Sequence, residues 1–296
     1  MKPLNIALIV KNENSTRRDV RPMGYFSYDV PEFTWTHILP GKRFTVDSKE
    51  LKRKGFDLIF HEDYPFGTIK GNSLPYVFLS IDSTLSELHY KHRVEQAGKA
   101  DLILIDHDEP SRFSDKTLRL PYCINDKLFY SHLGTNRQTD IAYHCSATAH
   151  AGIDKRKHIR QLLHDLSVKH KWSYRSGVMG VFEYAQSYRF SKIAVNQSRT
   201  PINRPHRIFD AMACGAMVLS SPLPHIKEDG LQNGWNYCEY KDDDNLEFYI
   251  RHLLNNPEDL HDVAIRGYNL VMTKHTWSIR AKELRTILDA NFSFNQ

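Results

Sequence analysis

What this sequence lacks narrows it first. It has four cysteines, Cys123, Cys145, Cys214 and Cys238, and none stands in a CxxC pair. That spacing argues against a zinc site. Three of them lie in or beside apolar runs, as reduced, buried thiols of a cytoplasmic protein do. No apolar run approaches the roughly 20 residues of a membrane-spanning helix. The opening Met1 to Val10 is too short for a signal peptide, has no small-residue cleavage site, and reads as a first strand. There is no GxGxxG, so the dinucleotide fingerprint is missing and a nucleotide-dependent oxidoreductase is disfavoured. Ser146 and Ser220 lack a nucleophile-elbow context. Cys214 lies in an apolar segment beside Gly215, which suits a core thiol better than a nucleophile. No internal repeat or low-complexity segment is present.

What is there suits a folded protein of some size. The 296 residues are enough for two domains, and 41% hydrophobic content can fill their cores. Net charge is +5, with 16 His besides. This favours anionic partners mildly, and a single small anionic ligand accounts for it.

The chain alternates strand and helix twice. Ile6 to Val10, Leu58-Ile59-Phe60, Tyr76 to Leu79 and Leu102 to Ile105 read as buried parallel strands. Each ends in polar residues: Lys11-Asn12, His61-Glu62-Asp63, Asp82, and Asp106-His107-Asp108. In an open parallel sheet such ends line one edge, where ligands bind. Thr84 and Glu87 form a capping box that opens a helix through about Ala97. Lys11 to Phe26 is a long connection carrying Arg17, Arg18 and Arg21. It is either an acceptor-binding loop or a solvated one. The second half restarts with a strand at Ile141 to Cys145, a small-residue loop, and a helix capped by Asp154 with Ile159, Leu162, Leu163 and Leu166 on one stripe. Trp172-Ser173-Tyr174, Lys192 to Asn196 and Tyr237 to Tyr240 are further strands. Asp243 or Asp244 caps a helix, and Asn256-Pro257-Glu258 starts another. The domains expected are 1–130 and 131–296, with the crossing between Tyr122 and Gln138. Asn136 to Thr139 is a polar stretch suited to a linker. The last helix may pack back on the first domain.

The organising stretch runs from Asn203 to Ser221. Asn203 can cap a short helix, and Pro205 is tolerated in its first turn. Ile208, Ala211 and Met212 share a face, and Gly215 supplies the stop. Met217-Val218-Leu219 is an apolar strand without alternation, as in a sheet covered on both faces. Arg204, His206 and Arg207 stand at the helix N-terminus, which is unfavourable unless an anion sits there. Asp210 follows one turn later. Cations with helix amides suit a diphosphate, and the carboxylate suits a ribose diol. The bland alternative is a helix–strand unit with a solvated basic end.

Arg207-Ile208-Phe209-Asp210-Ala211-Met212-Ala213-Cys214-Gly215 resembles the donor-binding segment of GT-B glycosyltransferases, in particular the CgeB-like (spore-maturation) ones. Their pattern is Arg-x-Phe-Glu-x-x-Ala-x-Gly followed by an apolar strand, here with Asp for Glu. Ser80-Ile81-Asp82, Lys99-Ala100-Asp101-Leu102 and the Pro121 run resemble the same family. So does the closing His275-Thr276-Trp277-Ser278-Ile279-Arg280, although His275 and Arg280 read more simply as a cap and an ion pair. The resemblance spans roughly residues 76 to 290. The second carboxylate of related family-four enzymes is absent, since Ile202 or Asn203 takes its place.

The resemblance implies an α/β chain of two Rossmann-like domains, with parallel sheets facing a cleft. It implies transfer of a sugar from a UDP- or GDP-sugar. It places the ribose on Asp210, the donor phosphates near Ser146 and Arg156, and the nucleobase against the backbone of Gly177 and Val178. Arg207, Arg204 and Asn203 complete the donor set. Asp82 and His61 are the candidate bases for the acceptor hydroxyl, with Arg207 meeting the charge on the leaving group. Relatives work without a bound metal. Two acidic clusters, Asp106-His107-Asp108 and Asp242-Asp243-Asp244, invite a metal, but the first lies away from the expected phosphate site and the second reads as an acidic helix start, so neither a metal nor another cofactor is expected. The acceptor side admits hydroxymethylated DNA, wall polymers, lipopolysaccharide or a small metabolite. The rival from another class is a catalytically silent nucleotide- or DNA-binding protein on the same fold.

Overall fold

The structure, a computed structural model, describes residues 2–9, 30–38, 44–62, 67–80, 94–95, 97–106, 116–131, 134, 136–145, 153–198, 205–224 and 226–294. The chain divides into two compact units. One takes the described residues up to Tyr122 together with those from Trp277 onward, and the other is Cys123–Thr276.

The first unit is built on a six-stranded parallel sheet. Its strands are β1 (Leu4–Ile9), β2 (Phe33–Ile38), β4 (Leu58–Glu62), β6 (Tyr76–Ser80), β7 (Leu102–Ile105) and β8 (Thr117–Arg119), in the order β2-β1-β4-β6-β7-β8. β3 (Phe44–Asp47) and β5 (Gly67–Lys70) pair separately. Between β3 and β4 lies helix α1 (Ser48–Arg53), whose N-cap Asp47 accepts from the Lys49 amide. All side chains of β6 and β7 are buried. Their continuous apolar runs follow from burial on both faces. The final helix of the chain, α7 (Trp277–Asn291), belongs to this unit. Trp277 is fully buried 6.0 Å from the ring of Trp35, which meets Phe60 edge-on. Truncating such a side chain costs about 3–5 kcal/mol. Arg285 of α7 donates to the carbonyls of Lys2 and Glu32.

The second unit holds β9 (Thr139–Tyr143), α2 (Ile153–His170), β10 (Tyr174–Ser176), α3 (Val181–Arg189), β11 (Ser191–Asn196), α4 (Arg207–Ala213), β12 (Met217–Ser220), β13 (Cys238–Glu239), α5 (Asp243–Asn255) and α6 (Pro257–Lys274). Its sheet is parallel throughout, in the order β10-β9-β11-β12-β13. Counted within the unit this is 2-1-3-4-5, a common doubly wound order. Ile141, Tyr143, Ile193, Val195, Met217 and Leu219 from the strands meet Ile159 and Leu163 of α2 and Ile250 of α5 in one core.

Several helix starts differ from expectation. α4 begins at Arg207 with His206 as N-cap, so Pro205 stands outside the helix. The Pro205 carbonyl accepts from the Ile208 amide, and the His206 carbonyl from those of Phe209 and Asp210. α2 begins at Ile153, which puts Asp154 inside the first turn, where its charge still favours the dipole. α5 is capped by Asp242, whose carboxylate accepts from the Asn245 amide. α6 starts at Asn256-Pro257, and Gly215, at φ 74°, ends α4. His275 is the C-cap of α6. It is buried, stacks 4.3 Å from Phe209, and bonds the Asp229 carbonyl through Nε2.

Asn136 to Thr139, expected as a linker, carries a half-buried anchor, Arg137. Nη1 of Arg137 donates to the carbonyls of Tyr188, Arg189 and Ser191, and Nη2 to those of Cys214 and the Ser131 hydroxyl. Tyr188 and Arg189 end α3, and Cys214 caps α4. One cation therefore answers the negative ends of two helix dipoles and their unmade carbonyl bonds.

Candidate active site

In a 2-1-3-4-5 sheet the connections leave in opposite directions from strands 1 and 3, and a crevice opens at their C-terminal ends. Here those ends are Tyr143-His144-Cys145 after β9 and Asn196-Gln197-Ser198 after β11. Three guanidinium groups reach this place. Arg207, the first residue of α4, puts Nη2 3.3 Å from Asn196 Oδ1. Arg156, in the first turns of α2, puts Nε 3.4 Å from the Gln197 carbonyl. Arg160, one turn further, puts Nη2 2.8 Å from the Cys145 carbonyl. Its Nε is buried and has no hydrogen-bond partner among the described residues.

These three partners are neutral oxygens. Among the described residues, Arg207 and Arg160 form no ion pair. Burial opposes the charge of Arg207, but Cys145, Tyr184, Tyr188 and Tyr143 around it hold its pKa above the ordinary arginine range. The site thus keeps fixed positive charge in partly desolvated surroundings, where an anion is bound more strongly than in water.

Asp210 sits beneath this crevice rather than on its surface. It is fully buried, and its Oδ2 accepts from Tyr184 Oη at 3.2 Å. Burial, with Tyr188 and Asp210 adding, raises the pKa of Tyr184 well above its usual value, so the phenol keeps the proton it donates. The carboxylate expected to meet a ribose is therefore engaged inside the unit.

Gly177 and Val178 follow β10. Gly177 has φ 134°, a conformation that a Cβ would strain, and Val178 is 79% exposed. Behind them lies His144, 4% exposed and not singled out from sequence. Its Nδ1 lies 3.3 Å from the Gly177 carbonyl, and its Nε2 lies 2.8 Å from Ser187 Oγ. A carbonyl can only accept, so Nδ1 carries the proton and Nε2 accepts from the Ser187 hydroxyl. Burial, helped by Arg175, Arg207 and Arg160, pushes the pKa of His144 down to about 4. It is neutral at physiological pH.

In the first unit, His61 is the last residue of β4 paired with β1, at the corresponding switch of that sheet. It was expected to be open to an acceptor, but it is only 1% exposed. Nδ1 meets Tyr76 Oη at 2.8 Å and the ring packs edge-on to Phe78. Asp106, from the expected acidic cluster, accepts from the Tyr122 amide. In the other cluster Asp242 is a cap and Asp243 pairs with His158 at 2.7 Å. Among the described residues no group of three or more His, Cys, Asp and Glu is placed to hold a metal ion. Burial pushes the Cys214 thiol up to about 12, in keeping with a core role. Asp82, Ser146, Asn203, Arg204 and the Lys11 to Phe26 connection lie outside the described residues. No described helix is long and apolar enough to cross a membrane.

The sequence model of the family described as glycosyl transferase-like matches residues 139–286, half of the chain. No curated protein sequence matches the chain. Among solved structures, a glycosyltransferase from Rickettsia africae is similar at a TM-score of 0.65 and 11% identity, over 98% of this chain and 99% of that one. Sucrose-phosphate synthase from Thermosynechococcus elongatus is similar at 0.63 and 13%, over 96% and 98%. Anabaena HepE, solved with UDP, is similar at 0.63 and 11%, over 97% and 100%. At such identities the likeness shows the fold alone: an α/β chain with two parallel sheets, the GT-B fold.

Proposed function

Because the chain belongs to the glycosyl transferase-like family, we propose that it moves a sugar from a UDP- or GDP-sugar to a hydroxyl acceptor. The observation that carries this reading is the crevice between β9 and β11. There Arg160 and Arg207 rest on neutral oxygens and lack a described carboxylate. A diphosphate supplies the missing negative charge. Anabaena HepE, similar in fold, has been solved with UDP and with UDP-glucose, which favours UDP as the nucleotide.

In this reading the second unit binds the donor. Arg207, Arg160 and Arg156 take the diphosphate, with Arg204, Ser146 and Asn203 alongside. The backbone of Gly177 and Val178 faces the base. Asp210 holds Tyr184 under the site. As the bond from the anomeric carbon to the phosphate oxygen breaks, charge grows on that oxygen, and the guanidinium groups stabilise it. The acceptor hydroxyl closes the new bond and gives up its proton. Asp82 of the first unit takes it if configuration inverts, and the departing phosphate takes it if configuration is retained. His61 is too deeply buried to be the first choice.

No divalent metal enters this scheme. The likeness of Arg207 to Gly215 to the CgeB-like pattern supports a CgeB-like enzyme within this reading, and an anionic polymer such as hydroxymethylated DNA is the acceptor we favour testing first. One feature favours a catalytically silent nucleotide binder: Ile202 or Asn203 stands where related enzymes carry a second carboxylate. The deciding experiment is release of UDP from UDP-glucose in the presence of candidate acceptors, with and without EDTA. Acceptor-dependent release that survives EDTA supports the full reading. Nucleotide binding without any release favours the silent protein.

A further inference from the structure

We propose that His144 is a positioning residue that fixes the shape of the loop Ser176–Gly180 and thereby sets which nucleobase the site prefers. The inference rests on the donor reading above, because it assumes that the base lies against Gly177 and Val178.

Four observations converge on it. His144 is 4% exposed, and both its ring nitrogens are engaged by groups from elsewhere in the unit. One bond reaches the carbonyl of Gly177 in the loop itself. Gly177 has φ 134°, so the loop adopts a conformation that few residues hold unaided. The ring also packs edge-on against Tyr184 at 5.6 Å and Tyr188 at 5.1 Å, and Tyr184 donates to Asp210 in the first turn of α4. The loop after β10 and the helix that begins at Arg207 are thus tied to one buried side chain.

The consequence is chemical. A loop that reads a base through its backbone discriminates only while its amides and carbonyls hold fixed directions. With the Gly177 carbonyl turned inward to His144, the loop offers the base the groups that remain. Releasing that carbonyl adds an acceptor and frees the glycine to rotate, which blurs the choice. Affinity for the diphosphate comes from the arginines and does not depend on it.

Calorimetric titration of UDP, GDP, ADP and inorganic pyrophosphate against four proteins tests this. They are the wild type, His144→Phe, His144→Asn and Ser187→Ala. Phe keeps the ring packing without a donor. Asn keeps a donor towards Gly177. The ratio of affinities between the best and worst nucleotides is expected to fall by about tenfold or more in His144→Phe. It should be largely restored in His144→Asn, and pyrophosphate affinity should not change. Ser187→Ala, which removes only a hydroxyl, should shift the ratio the same way by a smaller factor. It keeps the test valid if His144→Phe does not fold. Faster amide exchange at Val178 and Met179 in the variants should accompany the loss. A wild-type ratio in His144→Phe or, should that not fold, in Ser187→Ala overturns the proposal alone. Failure of the wild type to bind any of the nucleotides overturns it together with the donor reading.

Discussion

A β-carbon added at Gly215 would lie 2.4 Å from Nη2 of Arg137. The two residues are far apart in sequence, yet each limits the other. Gly215 turns the chain out of α4 at φ 74°, and Arg137 fills the space a side chain would need. Gly215→Ala must therefore displace a guanidinium that answers four backbone carbonyls, and must hold a left-handed conformation as well. A loss of about 1–3 kcal/mol is expected, read as a lower midpoint in urea at unchanged slope. An unchanged midpoint would show that the anchor is dispensable.

His144 makes stability depend on pH. Its folded pKa of about 4 lies below the ordinary histidine value of 6.5. The unfolded chain therefore binds the proton that the folded one refuses. By linkage, stability is complete above about pH 6.5 and falls as the pH drops towards 4. The full difference is on the order of 3 kcal/mol. Urea unfolding of wild type and His144→Asn between pH 4.5 and 7.5 isolates this residue from the other histidines. The wild type should lose stability relative to the variant on acidification. Parallel curves would contradict the assignment.

Asp210 separates two roles. Asp210→Asn keeps the shape and an acceptor for Tyr184 but removes the charge. With the carboxylate buried against Tyr184, the change should lower the melting temperature and weaken UDP binding only slightly. A tenfold or greater loss of affinity in a protein as stable as wild type would instead place the ribose on this carboxylate.

Much of this was legible in the sequence. The buried strands announced themselves because parallel strands covered on both faces cannot alternate, as Leu102 to Ile105 and Met217 to Leu219 show. Arg207 stood out because a cation at a helix start has no local reason to be there. Other parts carried no local signal. Phe33 to Ile38 is a strand of mixed polarity at the edge of its sheet. Arg137 lies in a polar stretch, and only the folded chain brings two helix ends to it. His144 lies at the end of an apolar strand, and its partners are 33 and 43 residues away. Arg160 repeats Arg156 one turn later, a spacing that marks one helix face and was available as a clue. Asp210 was identified by its motif, but its burial depends on Tyr184, which no spacing reveals.

The acceptor is tested through charge. If it is nucleic acid, transfer and binding should weaken steeply with salt, since each neutralised phosphate releases counterions. Replacing Arg17, Arg18 and Arg21 by Ala should then flatten that dependence and leave UDP affinity intact. A small acceptor would make the triple change nearly silent. Transfer to simple sugars but not to hydroxymethylated duplex DNA would remove nucleic acid from the account.

The crevice between β9 and β11 is proposed to hold a nucleoside diphosphate on its arginines. Calorimetric titration of UDP into wild type, Arg207→Ala and Arg160→Ala tests it most directly, with the melting temperature of each protein measured without nucleotide. Each substitution should weaken binding by about 1.5–3 kcal/mol, the range for hydrogen bonds to charged groups. Neither should lower the melting temperature much, because each removes one of several clustered like charges. Wild-type affinity for UDP in both folded variants would contradict the claim.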